Sequence, residues 1–419
     1  MLKTTGAVGA LGLSAGCLSG LTGGDGEDSG SLEVLHGWAD GDGSAAFKAM
    51  LEGFKEAHSD VDINAKSIGG SGNTSLDQRV NTRLGNDSPP GSWADWPGKN
   101  LLQFTSEDLL GDIEEDVWGK NDMKNAYLQG PKDAAKPDGK FVAVPINIHR
   151  MNNLFYNKSV VEEAGVDPSS ISDAASLTDA LKKVDENTDA VGMAQGGKKP
   201  WPTLQLWATV LLAQQGPSGY DKFAKGNMGQ EPIAKAFETL VSYSDYYTDD
   251  VGTIGFQEAA GKVVNGKAAF IHQGDWVAGT FASQDFAYGD DWDYVPFPGT
   301  DGHYALNMDS FVFPSGSAAP EAAKKWLAYC GTKDAQIRFN KEKGSIPPRS
   351  DVSPDEFPEF QAKQMKDFKN SEAQPPSVAH GLAVSKEVLS NLKGAINNDF
   401  SEYSESSASA VAKSFTQAF

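Results

Sequence analysis

The run Val144-Pro145-Ile146-Asn147-Ile148-His149-Arg150 leads, through Met151, into Asn152-Asn153-Leu154-Phe155-Tyr156-Asn157-Lys158. Its first half is an extended segment carrying a proline; its second half is a strand ending in Tyr-Asn-Lys. The chain on either side follows one grammar. Upstream, residues 32–38 read as a strand, and Ser44 is placed to cap a helix with Phe47, Met50, Leu51 and Phe54 at i, i+3, i+4 and i+7. Residues 61–68 form a second strand, followed by Gly69-Gly70-Ser71-Gly72 and another helix. Downstream, residues 266–276 read as a helix exit, a strand and a Gly274-Asp275-Trp276 turn. Residues 293–298 and 345–348 are short extended segments bearing prolines. Strands alternating with helices predict an α/β architecture with a largely parallel sheet.

Length makes two domains the natural expectation, since 419 residues exceed what one core usually serves. Apolar residues (39%) and charged residues (22%) fall in the range of globular proteins. A net charge of −21, from 57 acidic and 36 basic residues, argues against nucleic-acid binding, which needs a positive footprint. Such acidity suits a salt-rich milieu or simply solubility.

Residues 1–17 carry one early lysine, a short apolar stretch and small residues before Cys17, the pattern of an export signal. Ala15-Gly16-Cys17 is similar to a lipoprotein processing site, which would make Cys17 a lipid anchor. Residues 18–31 are acidic and glycine-rich, a flexible tether. The second cysteine, Cys330, shares a helix face with Ala322, Ala323, Trp326 and Leu327, so it reads as a packing residue. Six scattered histidines form no metal motif, and no cofactor is expected. Sequons at Asn73, Asn86 and Asn157 would permit glycosylation. The segment with Ser401, Ser404, Ser406 and Ser407 reads as a loop.

Over most of the mature chain, an ordered set of motifs resembles the family 1 extracellular solute-binding proteins of ABC sugar importers. These are Trp38, Val144-Pro145, Asn157-Lys158, Asn265 to Phe270, Gly274-Asp275-Trp276, Pro296-Phe297-Pro298-Gly299, Asp309-Ser310-Phe311 and Lys343-Gly344-Ser345-Ile346. Residues 144–150, 343–346 and His380-Gly381 look more narrowly like the glucose/galactose/mannose-binding members. The resemblance implies two α/β lobes of the periplasmic-binding-protein type, joined by three hinge crossings near Asn147, Pro296 and Pro347, with the ligand cleft between them. Lobe 1 would comprise residues 32–146 and 297–346; lobe 2 would comprise 147–296 and 347–419. It implies no catalysis. Instead it implies capture of a monosaccharide such as glucose, delivery to a membrane permease, and a monomer at the cell surface.

Sugars need hydrogen-bonding partners for their hydroxyls and aromatic rings for their C–H faces. By resemblance, Trp276 is the foremost stacking residue, with Trp38, Trp96 and Trp201 as further rings. Asp42 and Asp309 accept hydroxyls, Lys343 donates, and His380 contacts the ligand. The family's tryptophan pair is here Gly37-Trp38, and its glutamate is Asp42. Trp96 occupies a position usually polar in the subgroup. It either stacks on the sugar or packs against the hinge. Asn147 and Gln205 form a second tier, Asn147 and His149 read equally as hinge-supporting hydrogen bonders or ligand contacts, Asp275 reads as a helix N-cap, and Trp207 as core. A secreted carbohydrate-active enzyme is the rival reading, since Asp42 and Asp309 are conceivable partners for the two carboxylates, about 5–9 Å apart, that glycoside hydrolysis needs. An oligosaccharide receptor is a further alternative.

Overall fold

The computed structural model describes residues 31–39, 41–69 and 74–419. The export signal with Cys17, the tether up to residue 30, and residues 70–73 with the Asn73 sequon lie outside the described residues. The chain lays down β1 (Leu32–His36), β2 (Ile63–Ser67), β3 (Ser92–Asp95) and β4 (Ala143–Pro145). There follow β5 (His149–Arg150), β6 (Asn153–Asn157), β7 (Val191–Ala194), β8 (Ala268–Gln273) and β9 (Trp292–Pro296). β10 (Leu306–Asn307) and β11 (Ser310–Val312) complete the strands.

These strands form two lobes. The first is built on a sheet ordered β2-β1-β3-β11-β4, the second on a sheet ordered β7-β8-β6-β9. The expected largely parallel sheet is instead mixed in both. β1 runs parallel to β2 and β3, whereas β11 is antiparallel to β3 and β4. β7 and β8 are parallel, whereas β6 is antiparallel to β8 and β9. β6 and β11 are the strands that arrive directly from a crossing. They enter from the hinge end, opposite to strands delivered by a crossover helix.

The crossings are tied to one another. β5 pairs antiparallel with β10, and Ile148 and Ile346 exchange backbone hydrogen bonds of 2.7 and 3.0 Å. Ile146 N–H donates to Asp309 O (2.9 Å), and Met151 N–H to Ala305 O (2.7 Å). Beyond Ile346 the chain touches the first lobe again, with Leu128 N–H donating to Pro348 O and Ser350 N–H to Ala126 O. It then enters the helix Glu359–Asn370, whose Phe360 packs on Phe155 and Trp292 of the second lobe.

Each lobe has its own core. Leu35, Phe54, Trp118, Phe311 and Trp326 centre the first; Phe155, Trp207, Phe237, Phe270 and Phe415 centre the second. The helix Pro320–Cys330 starts on its proline, which fits a first-turn position lacking a needed N–H, and buries Trp326, Leu327 and Cys330. Two local readings are corrected. The first helix spans Gly41–Ala57, so Ser44 lies inside it. The serine-rich segment is a helix start: Ser404 caps Glu405–Thr416, accepting from Ser407 N–H. Asn157, one of the sequons, is buried, donating to Val263 O at 2.8 Å and capping Val160 N–H. That position is closed to a glycan.

Candidate functional site

The end of the first lobe's helix Lys333–Lys343 delivers Lys343 to the hinge, and Gly344 stops that helix in the left-handed region (φ 79°). Lys343 Nζ pairs with Asp42 Oδ2 at 2.5 Å; Lys343 is buried and Asp42 largely so. Asp42 sits in the first turn of Gly41–Ala57, where the helix dipole favours a carboxylate. Burial opposes the Lys343 charge, but Asp42, Asp309 and Asp275 outweigh it and raise the ammonium above its ordinary value.

Asp309, between β10 and β11, is gripped by Asn147. Asp309 N–H donates to Asn147 Oδ1 (2.7 Å), and Asn147 Nδ2 donates to Asp309 Oδ2 (2.8 Å). Burial would push the Asp309 carboxyl up; hydrogen bonding from His149, its charge and that of Lys343 hold it below the ordinary range. His149 Nδ1 bonds Asp275 Oδ1, and Asp275 Oδ2 accepts from Arg150 N–H at 2.9 Å. Asp275 therefore does not cap a helix: the following helix, Val277–Ala282, has Trp276 at its N-cap and no side-chain cap bond. Its acid is committed to the first crossing.

A second, aromatic cluster adjoins this one. Trp276 meets Trp201 at 5.9 Å, His380 at 5.7 Å and His149 at 5.1 Å between ring centroids. Trp96 lies 5.1 Å from His380 in an edge-to-face contact. The Trp276 ring folds back over Gly274, where any Cβ would overlap it, so the Gly-Asp-Trp sequence is sterically required. The Trp276 indole N–H is buried and finds no partner among the described residues. Lys343 Nζ stands 6.0 Å from the centre of that ring and so joins the two clusters. His380 bonds Ser377 Oγ through Nδ1 (2.9 Å), and burial pushes its pKa down to about 3. It is neutral.

The lobes are closed on one another here. Trp96 follows β3 of the first lobe, yet its ring belongs to the second lobe's apolar cluster. Lys99 N–H donates to Leu382 O (3.2 Å), and Lys386 pairs with Asp77 across the seam. On the other flank a Cβ at Gly279 of the second lobe would stand 2.5 Å from the Asp42 Cβ.

Of the residues picked from sequence, Trp96, Trp201, Trp276 and His380 thus share one cluster, and Asp42, Asp309, Lys343 and Asn147 the other. Trp38 lies a layer behind, edge-on to Phe339 (5.3 Å) and Phe311 (6.0 Å), with its ring beneath Gly43. Gln205 is buried one turn after Trp201, its Nε2 facing Met151 O at 3.4 Å and its Oε1 without a partner among the described residues. The His149–Asp275 contact was not foreseen, because the two residues are 126 positions apart. Beside the aromatic cluster a groove of about 580 Å³ opens between Gly41 and Lys199, Trp201, Phe256, Glu258 and Thr280. Among the described residues no group of acids, histidines or cysteines is arranged to hold a metal ion. No helix among them is long and apolar enough to cross a membrane.

Residues 38–337 match the family model of the bacterial extracellular solute-binding proteins. The chain is 44% identical to the xylose/arabinose-binding protein XacG of Haloferax volcanii, over 91% of this chain and 83% of that protein. It is 33% identical to an uncharacterized ABC transporter extracellular-binding protein of Pyrococcus horikoshii, over 87% and 82% of the two chains. Among solved structures, the bacterial solute receptor AcbH is similar with a TM-score of 0.82 at 20% identity, covering 92% of this chain and 97% of the other. The maltose-bound T. maritima MalE3 is similar with a TM-score of 0.74 at 18% identity, covering 93% and 100%. These are solute-binding receptors and not enzymes.

Proposed function

The chain belongs to the bacterial extracellular solute-binding protein family, and from that premise we propose that it captures a sugar for an ABC importer. Its lobes close on the sugar and offer a surface spanning both to a membrane permease. The observation that supports this most is the buried Trp276 N–H, without a partner among the described residues, on a ring whose centre lies 6.0 Å from Lys343 Nζ. An apolar wall with a donor and an acceptor at its edge suits a pyranose, whose C–H face and hydroxyls need both.

In this reading Trp276 is the floor, Trp201 and Trp96 are walls, and His380 holds them apart. Asp309 accepts from hydroxyls, Lys343 donates, and Asp42 steadies Lys343. Trp38 backs the Asp42 turn and the Lys343 helix, while Asn147 and Gln205 support from behind. The ligand is a monosaccharide, and a pentose ranks ahead of the glucose that the motif resemblance implied, because a relative 44% identical is named for xylose and arabinose. Calorimetric titration with D-xylose, L-arabinose, D-glucose and D-galactose tests this. Stoichiometric binding of a pentose without product is expected; hydrolysis of a labelled disaccharide, or no binding by any sugar, ends the reading.

A longer ligand is favoured by one feature. Centroid steps of 5.9 Å from Trp276 to Trp201 and 5.5 Å from Trp201 to Phe256 lead into the 580 Å³ groove. Tighter binding of xylobiose than of xylose would select that alternative. The protein acts as an exported monomer, tethered through Cys17; mass spectrometry of the natural protein for a lipid on that cysteine tests the tether.

A further inference from the structure

His149 lies two residues beyond Asn147 on the extended first crossing, so both side chains leave the backbone on the same side. Asp309 N–H can donate only to the amide oxygen of Asn147, which fixes the amide orientation and turns Nδ2 toward His149 Nε2 at 2.9 Å. The same Nε2 is 3.3 Å from Asp309 Oδ2, while Nδ1 contacts Asp275. Asp275 is held further by Arg150, accepting from its N–H and donating its own N–H to Arg150 O (3.1 Å). One buried imidazole therefore touches an acid that precedes β11 of the first lobe and an acid that follows β8 of the second. It also touches the ring of Trp276, the residue next in chain to that second acid.

Two hydrogen-bond arrangements are open to it. With a proton on Nδ1 alone, Nε2 accepts from Asn147, and Asp309 keeps more of its acceptor capacity for a ligand. With both nitrogens protonated, Nε2–H turns to Asp309, and the Asn147 bond to the ring is lost. The charged and titratable groups facing the ring are Asp275, Asp309, Lys343 and, across Trp276, the neutral His380; the Arg150 guanidinium is turned away to Asp367 (3.1 Å). Burial disfavours the charged ring, and Asp275 followed by Asp309 outweighs that.

We propose that His149 is a positioning residue that joins hinge to site. By holding Asp275 and Asp309 at once, it sets Trp276 and the hydroxyl-accepting carboxylate in register when the lobes are closed. This rests on the sugar-capture reading above. A group that merely cements the hinge would affect melting alone; a positioning group affects affinity in a manner coupled to its partner and to its protonation.

The test titrates D-xylose and L-arabinose into the full chain, as wild type, His149→Gln, Asp275→Asn and the double variant. Each single change is expected to weaken the tighter sugar roughly 10- to 100-fold, the loss of a charge-assisted hydrogen bond. The double variant is expected to be no weaker than the worse single one, as for two members of one chain of contacts. Wild-type affinity should vary across pH 5.5–8.5, and the His149→Gln profile should be flat. Additive losses, unchanged affinity, or equal pH profiles overturn the proposal. If His149→Gln does not fold, Asp275→Asn, which keeps shape and an acceptor, carries the test through its affinity and pH profile. Wild type that binds no sugar defeats the capture reading itself. Wild type that binds while the variants bind equally well defeats the positioning role alone.

Discussion

Two histidines separate the two halves of the site. His380 stands among Trp96, Trp201 and Trp276, and burial, joined by the Lys393 charge, outweighs the pull of Asp309 and drives its pKa down to about 3. His149, no less buried, faces Asp275 and Asp309, and its pKa moves up. Burial is common to both; the neighbours decide the sign. The lesson is that the cleft gathers its carboxylates at the hinge, while its ring wall meets only cations, Lys393 Nζ at 5.2 Å from the Trp96 centre and Lys343 Nζ at 6.0 Å from that of Trp276. On the capture reading proposed above, a sugar would meet the apolar half with its C–H face and the charged half with its hydroxyls.

The strongest way to break this division is Trp276→Ala. Loss of the central ring is expected to cost about 2–4 kcal/mol of binding, roughly 30- to 700-fold in Kd by calorimetry. A loss below threefold would move the sugar elsewhere. On the charged side, Asp309→Asn removes a charged acceptor and should weaken binding roughly 10- to 100-fold. Because Asn147 still has an amide to bond, the melting temperature without sugar should move less than the affinity does.

pH sharpens the comparison. His36, His272 and His380 are held neutral by burial, with values of about 4, 3 and 3. Unfolding lets them take up protons. Stability should therefore fall on acidification from about pH 6.5 down toward pH 3. The stability that His149 supplies has the opposite sign: it is full below about pH 6.5 and lost as pH rises through the raised value. At acid pH the denaturant midpoint of His380→Phe should lie above wild type and that of His149→Gln below it, and the His149→Gln deficit should vanish as pH rises through the raised value. The smallest effect is expected at the seam. Lys386→Ala removes a partly exposed ion pair with Asp77 and should change affinity by no more than about threefold, less in high salt. A larger change would make the seam, and not the hinge, the seat of closure.

Much of this architecture is legible in the chain itself. The proline-bearing run at 144–150 is extended and leads into β6, and the Gly274-Asp275-Trp276 turn follows the strand β8 as its motif predicts. What escapes reading has physical causes. Asp275 sits where N-caps sit, and local grammar cannot show that a histidine 126 residues away competes for it. Ser404 to Ser407 look like loop because serine is common in both loops and helix starts, and the capping bond is visible only in three dimensions. Strand direction escapes because it depends on which end of a sheet the crossings enter. Trp38 follows a strand, as cleft residues do, but its size fits the space over Phe311 and Phe339.

The bare backbone at Gly279 has a consequence for the whole machine. The two jaws touch through a residue without a side chain, opposite Asp42. A single methyl there is a doorstop: it would leave the mouth ajar with both halves otherwise intact, and so offers a receptor stalled before the swallow.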